Sequence, residues 1–199
     1  MRGVPSGVWA VASALGGLPV AKAWAKQAAE AEAWTFRNPS CGDRETMSSL
    51  RFLAEEAPFL AVHGRSDWAH VCGADALIGG WRSLPWEILK ARVSGSRFGV
   101  SLHELEELSH AASLGVDFAF FGPIWSTPEK KGLLNPRGLE VLREACSFGL
   151  PIIAVGGVLG AQQAAACREV GAHGVAVVRA VFDAAAFRSV CQGWNEGGP

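Results

Sequence analysis

Short apolar runs alternate with amphipathic stretches along the whole chain. Val8–Ala12, Ala33–Phe36, Phe59–Val62 and Ala74–Ile78 open the series, and Arg97–Ser101, Val116–Phe121, Pro151–Val155 and Gly174–Val178 continue it. Runs that are apolar at nearly every position suit strands buried on both faces, as in a parallel sheet. Between them the spacing predicts helices over Val20–Ala31, Arg44–Glu56, Ser66–Val71, Pro85–Ala91, His103–Ala112, Gly138–Phe148, Ala161–Val170 and Ala184–Cys191. Eight β-α units in succession most simply close into a (β/α)8 TIM barrel, since a doubly wound sheet usually has fewer strands. The expectation is one domain over residues 1–199, with a tail that frays after about 194.

The stretch from Arg97 to Phe121 is the clearest strand–loop–helix–strand unit. It puts His103 just past the carboxyl end of strand five, on the face where such barrels keep their chemistry. A long polar loop, Gly122 to Arg137, follows strand six on the same face. Loops of that length in compact domains often act as lids or binding loops.

Composition narrows the partners. Hydrophobic residues make up 49% of the 199, enough for a substantial core, and the net charge of -1 with no basic run argues against nucleic acid. No apolar run reaches the ~18 residues of a membrane span. The five cysteines are odd in number and never in C-x-x-C spacing, which suits a reducing, cytoplasmic setting and no zinc site. Met1-Arg2, the run Val8 to Leu15 and the small residues near Ala21–Ala25 loosely imitate a secretory signal. Gly16, Gly17 and Pro19 break that run, so a first strand, a turn and a helix are the preferred interpretation.

Candidate chemistry follows from the face rule. His70 and His110 fall inside helices and His173 precedes strand eight, all away from the active face. His63 ends strand three and His103 follows strand five; imidazole at either place can move protons near neutral pH, with His103 the catalytic candidate and His63 counted among the substrate-binding residues. Phosphate is the most readable ligand. Gly156 and Gly157 end strand seven, and Val178 and Arg179 end strand eight, the usual phosphate-binding corner of these barrels. Arg37, Arg65, Lys130 and Lys131 add positive charge around the mouth, although each Lys also fits a solvated loop position. No pair of carboxylates emerges at adjacent strand ends, and Asp67 suits a helix cap better than a metal. No metal site is expected.

Several motifs bear a family likeness. They are His63-Gly-Arg-Ser-Asp67 with Gly73-Ala-Asp75, Gly99-Val-Ser-Leu-His-Glu-Leu-Glu-Glu107, Phe120-Phe-Gly-Pro-Ile-Trp-Ser-Thr-Pro-Glu-Lys-Lys-Gly132, Ile152-Ile-Ala-Val-Gly-Gly157 and Gly174-Val-Ala-Val-Val178. Together they resemble the thiamine phosphate synthase superfamily, and within it most closely the TenI-like thiazole tautomerases. Trp34-Thr-Phe-Arg37 looks like a degraded form of the family's strand-two motif.

The resemblance implies two chemistries. Synthases carry Asn-Asp where this chain has His63-Gly64, and a Gln with an acidic pair where it has Trp81-Arg82-Ser83; those acids hold magnesium and a pyrophosphate. A lysine expected after Arg37 is Pro39, and the first strand lacks its usual polar ending. Tautomerases resemble the chain at Gly64-Arg65, need no metal, and have a catalytic histidine matching His103. The expectation is therefore an isomerase that aromatises a carboxythiazole phosphate by acid/base transfer through His103, without a cofactor. The alternatives are a magnesium-dependent thiamine phosphate synthase, or a diverged paralogue that binds a phosphorylated ligand without turnover. His63 in place of Asn, Arg179 in place of a small residue, and Trp81 and Trp125 near the pocket bear on that choice. The implied partner is a small phosphorylated thiazole, with a homodimer as an option.

Overall fold

A computed structural model of the chain describes residues 2–13, 15–37, 42–93, 95–128 and 133–196. Its strands are β1 (Gly7–Ser13), β2 (Ala33–Arg37), β3 (Leu60–His63), β4 (Ala76–Gly79), β5 (Arg97–Leu102), β6 (Phe118–Phe121), β7 (Ile152–Val155) and β8 (Gly174–Val177). They are parallel and close in sequence order, with β1 paired to both β2 and β8. The helices are α1 (Leu18–Gln27), α2 (Asp43–Glu56), α3 (Ser66–Cys72), α4 (Trp86–Ala91), α5 (Glu106–Ser113), α6 (Gly138–Cys146), α7 (Ala161–Glu169) and α8 (Ala184–Glu196). A one-turn 3-10 helix over Ala180–Phe182 lies between β8 and α8. The expected (β/α)8 barrel is the observed fold.

Strand alternation creates two cores. Outward residues such as Val8, Ala10 and Ala12 pack beneath the helices with Trp24, Leu50 and Leu53. Inward residues fill the barrel, where the Trp9 indole meets Phe59, Phe118 and Phe120 at ring-centroid distances of 5.3–5.5 Å. Burying one such aromatic side chain stabilises the fold by roughly 1.5–3 kcal/mol. Room for these rings comes from glycine. A Cβ on Gly99 would lie 2.4 Å from the Phe118 ring, so that ring occupies the space a side chain would take. Toward the carboxyl ends the inward positions shrink to Ser13, Ser101 and Ala176, and the filled interior opens into a cavity.

Three of the boundary shifts have local reasons. Helix α1 starts two residues early, at Leu18, because Pro19 is well tolerated in a first turn. Helix α5 starts at Glu106, and His103 sits in a bend ahead of it. Helix α8 continues to Glu196, with Trp194 buried and its carbonyl accepting from Arg168 Nη1 at 2.6 Å. Among the described residues no helix is long and apolar enough to cross a membrane.

Candidate active site

A cavity of about 580 Å³ opens at the carboxyl ends of the strands. Arg37, His63, His103, Gly156, Gly157, Val178 and Arg179, singled out from the sequence, all line it. Arg65 does not. Its guanidinium is held by Asp67 at 2.6 and 2.9 Å and by Asp43 at 3.5 Å, and it lies 4.0 Å over the Trp68 ring. The hydrogen-bonded Asp67 carboxylate, with Asp43, raises the Arg65 pKa, and the Arg65 guanidinium in turn lowers that of Asp67, so Arg65 is held in an ion pair and not at the cavity where a ligand contact was expected of it. Lys130 and Lys131 lie outside the described residues.

His103 is fixed from two sides. Its Nδ1 lies 2.5 Å from the Gly122 carbonyl oxygen. A carbonyl only accepts, so Nδ1 carries the proton and Nε2 is left as the acceptor of the neutral ring. Glu107 holds the backbone, its Oε2 accepting from the N–H groups of His103 at 2.8 Å and Glu104 at 2.9 Å. This reach-back from a helix's first turn explains why the chain bends at His103 before α5 begins.

His63 is a different kind of imidazole. Its Nε2 is buried without a hydrogen-bond partner among the described residues, and its ring meets Phe120 edge-on at 5.7 Å. Burial, reinforced by the neighbouring Arg37 charge, pushes its pKa down to about 3. It is therefore neutral at physiological pH. The expectation that it moves protons there is corrected, because a base this weak is a poor acceptor of them.

The two glycines after β7 serve packing as well as the cavity. Gly156 and Gly157 have φ of 99° and 77°. A Cβ on the first would lie 2.8 Å from Pro123 Cα, and one on the second 2.5 Å from Trp125 Cβ. Backbone bonds from Ile124 N to Val155 O (3.0 Å) and Trp125 N to Gly156 O (3.1 Å) knit the β6 and β7 loops together. The far end of the long loop is tied down by Arg137 N to Pro123 O at 2.8 Å and by an Arg137–Glu104 ion pair. Thr127 and Leu133 from this loop reach the cavity. Trp125 packs against Gly157 instead and does not line the pocket, whereas Trp81 does, 71% exposed, with the Arg82 guanidinium 4.5 Å over its ring.

The positions at which the resemblance implies magnesium ligands do meet in space. A Cβ on Gly64 would come within 3.8 Å of Ser83 Cβ. Neither supplies a carboxylate. The Ser83 hydroxyl is already engaged, accepting from Gly80 N at 3.0 Å and donating within reach of the Gly80 and Leu84 carbonyls. Among the described residues no cluster of three His, Cys, Asp or Glu could hold a metal. A hard divalent cation wants several anionic oxygens, so this donor set does not fit one.

Four polar side chains of the cavity escaped the sequence analysis as ligand contacts: Ser13, Arg82, Ser101 and Thr127. Strand parity held the signal for two of them. Ser101 stands two residues before His103 on an inward position, and Ser13 is paired with Arg37. The polar ending thought missing from strand one is present, because β1 runs one residue further, to Ser13.

Residues 22–181 match the family model described as thiamine monophosphate synthase. The thiamine-phosphate synthase of Mycolicibacterium paratuberculosis is 35% identical over 145 residues, which are 69% of this chain and 64% of that protein. The thiamine-phosphate synthase of Saccharopolyspora erythraea is 35% identical over 151 residues, 71% of this chain and 66% of that protein. The chain thus matches a little under two thirds of these relatives' length. The solved structure of thiamine phosphate pyrophosphorylase from Pyrococcus furiosus superposes with a TM-score of 0.79 at 24% identity, covering 95% of this chain and 93% of that one. The isomerase expectation is overturned by these relatives, which are named as synthases. It rested on local features at Gly64, Arg65 and His103, and the likeness that favours the other chemistry extends over most of the chain.

Proposed function

The chain belongs to the thiamine monophosphate synthase family, and from that we propose that it joins a phosphorylated thiazole to a pyrimidine pyrophosphate. In that reaction the thiazole nitrogen bonds to the pyrimidine's exocyclic carbon while the carbon–oxygen bond to pyrophosphate breaks. The electron pair leaves with pyrophosphate, and no proton need be abstracted. The observation that best supports this function is the charge of the cavity. Its charged lining residues are Arg37, Arg82 and Arg179, beside the two histidines, with no carboxylate among the described ones. Both substrates are phosphate esters, and guanidinium matches phosphate oxygens in geometry as well as charge.

In this function the cavity residues bind and orient. The β7 and β8 loops, with Gly156, Gly157, Val178 and Arg179, take one phosphate group. Arg37 and Arg82 lie across the mouth and stabilise the negative charge that grows on the departing pyrophosphate. His103, held through Nδ1 by the Gly122 carbonyl, presents Nε2 to a ring substituent. The apolar rim of Trp81 and Leu133 covers the heterocycles.

Incubating the protein with both substrates and following pyrophosphate and the joined product by mass spectrometry tests this function. Equal amounts of the two are expected, and no product at saturating substrate overturns it. Gly64 and Ser83 favour one second possibility, a paralogue that binds the phosphorylated ligand without turnover. Such a protein would gain thermal stability with either ester and yield no product.

A further inference from the structure

We infer that this cavity holds the pyrophosphate group with arginine side chains, Arg37 and Arg82 foremost, and without a divalent cation. The inference deepens the proposed function and rests on it for the choice of ligand. The carboxylates near the mouth are already paired within the protein. Asp43 and Asp67 are paired with Arg65, and Glu104 is paired with Arg137. Both Glu107 contacts with the His103 turn go through one carboxylate oxygen to backbone N–H groups. Each of these carboxylates is thus compensated by the protein itself, and none lines the cavity.

At the same place positive charge has accumulated. Gly64 and Ser83 face one another without a carboxylate between them, and the residue before Ser83 is Arg82. The Arg82 guanidinium lies over the Trp81 ring, which shields one face of the cation and leaves its N–H edge free to point at an anion. Arg37 stands at the end of β2, one strand from His63, whose neutral ring does not repel the guanidinium. A magnesium ion brought into this setting would meet the guanidinium groups of Arg37, Arg82 and Arg179 and, among the described residues that line the cavity, no carboxylate. A pyrophosphate would meet only attraction.

Titrating inorganic pyrophosphate into the full-length protein by calorimetry, once in EDTA and once in magnesium, tests the inference. Binding in EDTA is expected within ~3-fold of that in magnesium, and Arg82→Ala and Arg37→Ala should each weaken it by ~10-fold. Arg82→Lys, which keeps the charge but not the fork, should fall between. Melting curves without ligand verify that the variants fold. Pyrophosphate binding that appears only with magnesium, or arginine variants as tight as the parent, would overturn the inference. Binding in EDTA with no joined product removes the synthase function and leaves the site as inferred. Product formation with no pyrophosphate binding in EDTA does the reverse.

Discussion

The Glu107 carboxylate accepts from the backbone N–H of His103 at 2.8 Å, four residues back across the start of α5. It takes the N–H of Glu104 with the same oxygen. One side chain therefore holds the turn on which the His103 imidazole stands, while the Gly122 carbonyl holds its ring. The bend, the helix start and the orientation of His103 are one structural unit.

Removing that carboxylate leaves two backbone donors without their acceptor. Glu107→Ala should lower stability by about 0.5–2 kcal/mol, as loss of a helix cap does. Glu107→Gln keeps an acceptor oxygen and should recover much of this. Urea denaturation of the two variants measures the difference, and equal loss in both would show that the charge, not the hydrogen bond, matters.

His63 gives the fold a signature in acid. Its pKa in the folded protein is about 3, against about 6.5 for an exposed histidine. Below pH 6.5 the unfolded chain takes up a proton that the folded one refuses. Stability is therefore full at neutral pH and falls as pH drops from about 6.5 toward 3, by at most ~1.4 kcal/mol per pH unit. His63→Asn should flatten this limb when denaturation midpoints are compared at pH 7, 5 and 4. A limb as steep as the parent's would assign the acid sensitivity to other groups.

The barrel was legible in the sequence because every strand is buried on both faces, so eight apolar runs stand out against polar helices. The site was legible where strand ends carry it: Arg37, His63, His103 and the Gly156-Gly157 pair. Arg65 misled because its tightest partner, Asp67, is two residues along and was read as a helix cap, and its second partner, Asp43, comes from the start of α2, a tertiary contact that no local pattern records. The state of His63 misled for the same reason, because it is set by burial and by Arg37 on the next strand. Arg82 drew no attention as a ligand contact because it follows β4 in a short turn without periodicity. Only the closed barrel shows that this turn overhangs the cavity.

Gly157 joins loop packing to ligand binding. At φ 77° and with Trp125 Cβ 2.5 Å from where its own Cβ would stand, it accepts no side chain without displacing the β6 loop. Gly157→Ala should destabilise the fold by roughly 1–3 kcal/mol. It should also weaken phosphate-ester binding, since the same loop lines the cavity. Thermal melting with and without a phosphate ester reads both effects. An unchanged ligand-induced shift would separate this loop from phosphate.

The interior offers the strictest test of the packing. The ring of Phe118 lies over Gly99, leaving the glycine's would-be Cβ 2.4–2.7 Å from three ring carbons. Gly99→Ala should therefore cost about 1–3 kcal/mol by overpacking. Phe118→Leu alone should also destabilise, because it opens space beside Trp9 and Phe120. If the two positions share one volume, the double variant should be more stable than the sum of the single losses requires, with a coupling of ~0.5–3 kcal/mol. Denaturation of the three variants closes the cycle. Additive losses would mean that the Phe118 ring is held by its aromatic neighbours and not by the absence of a side chain at Gly99.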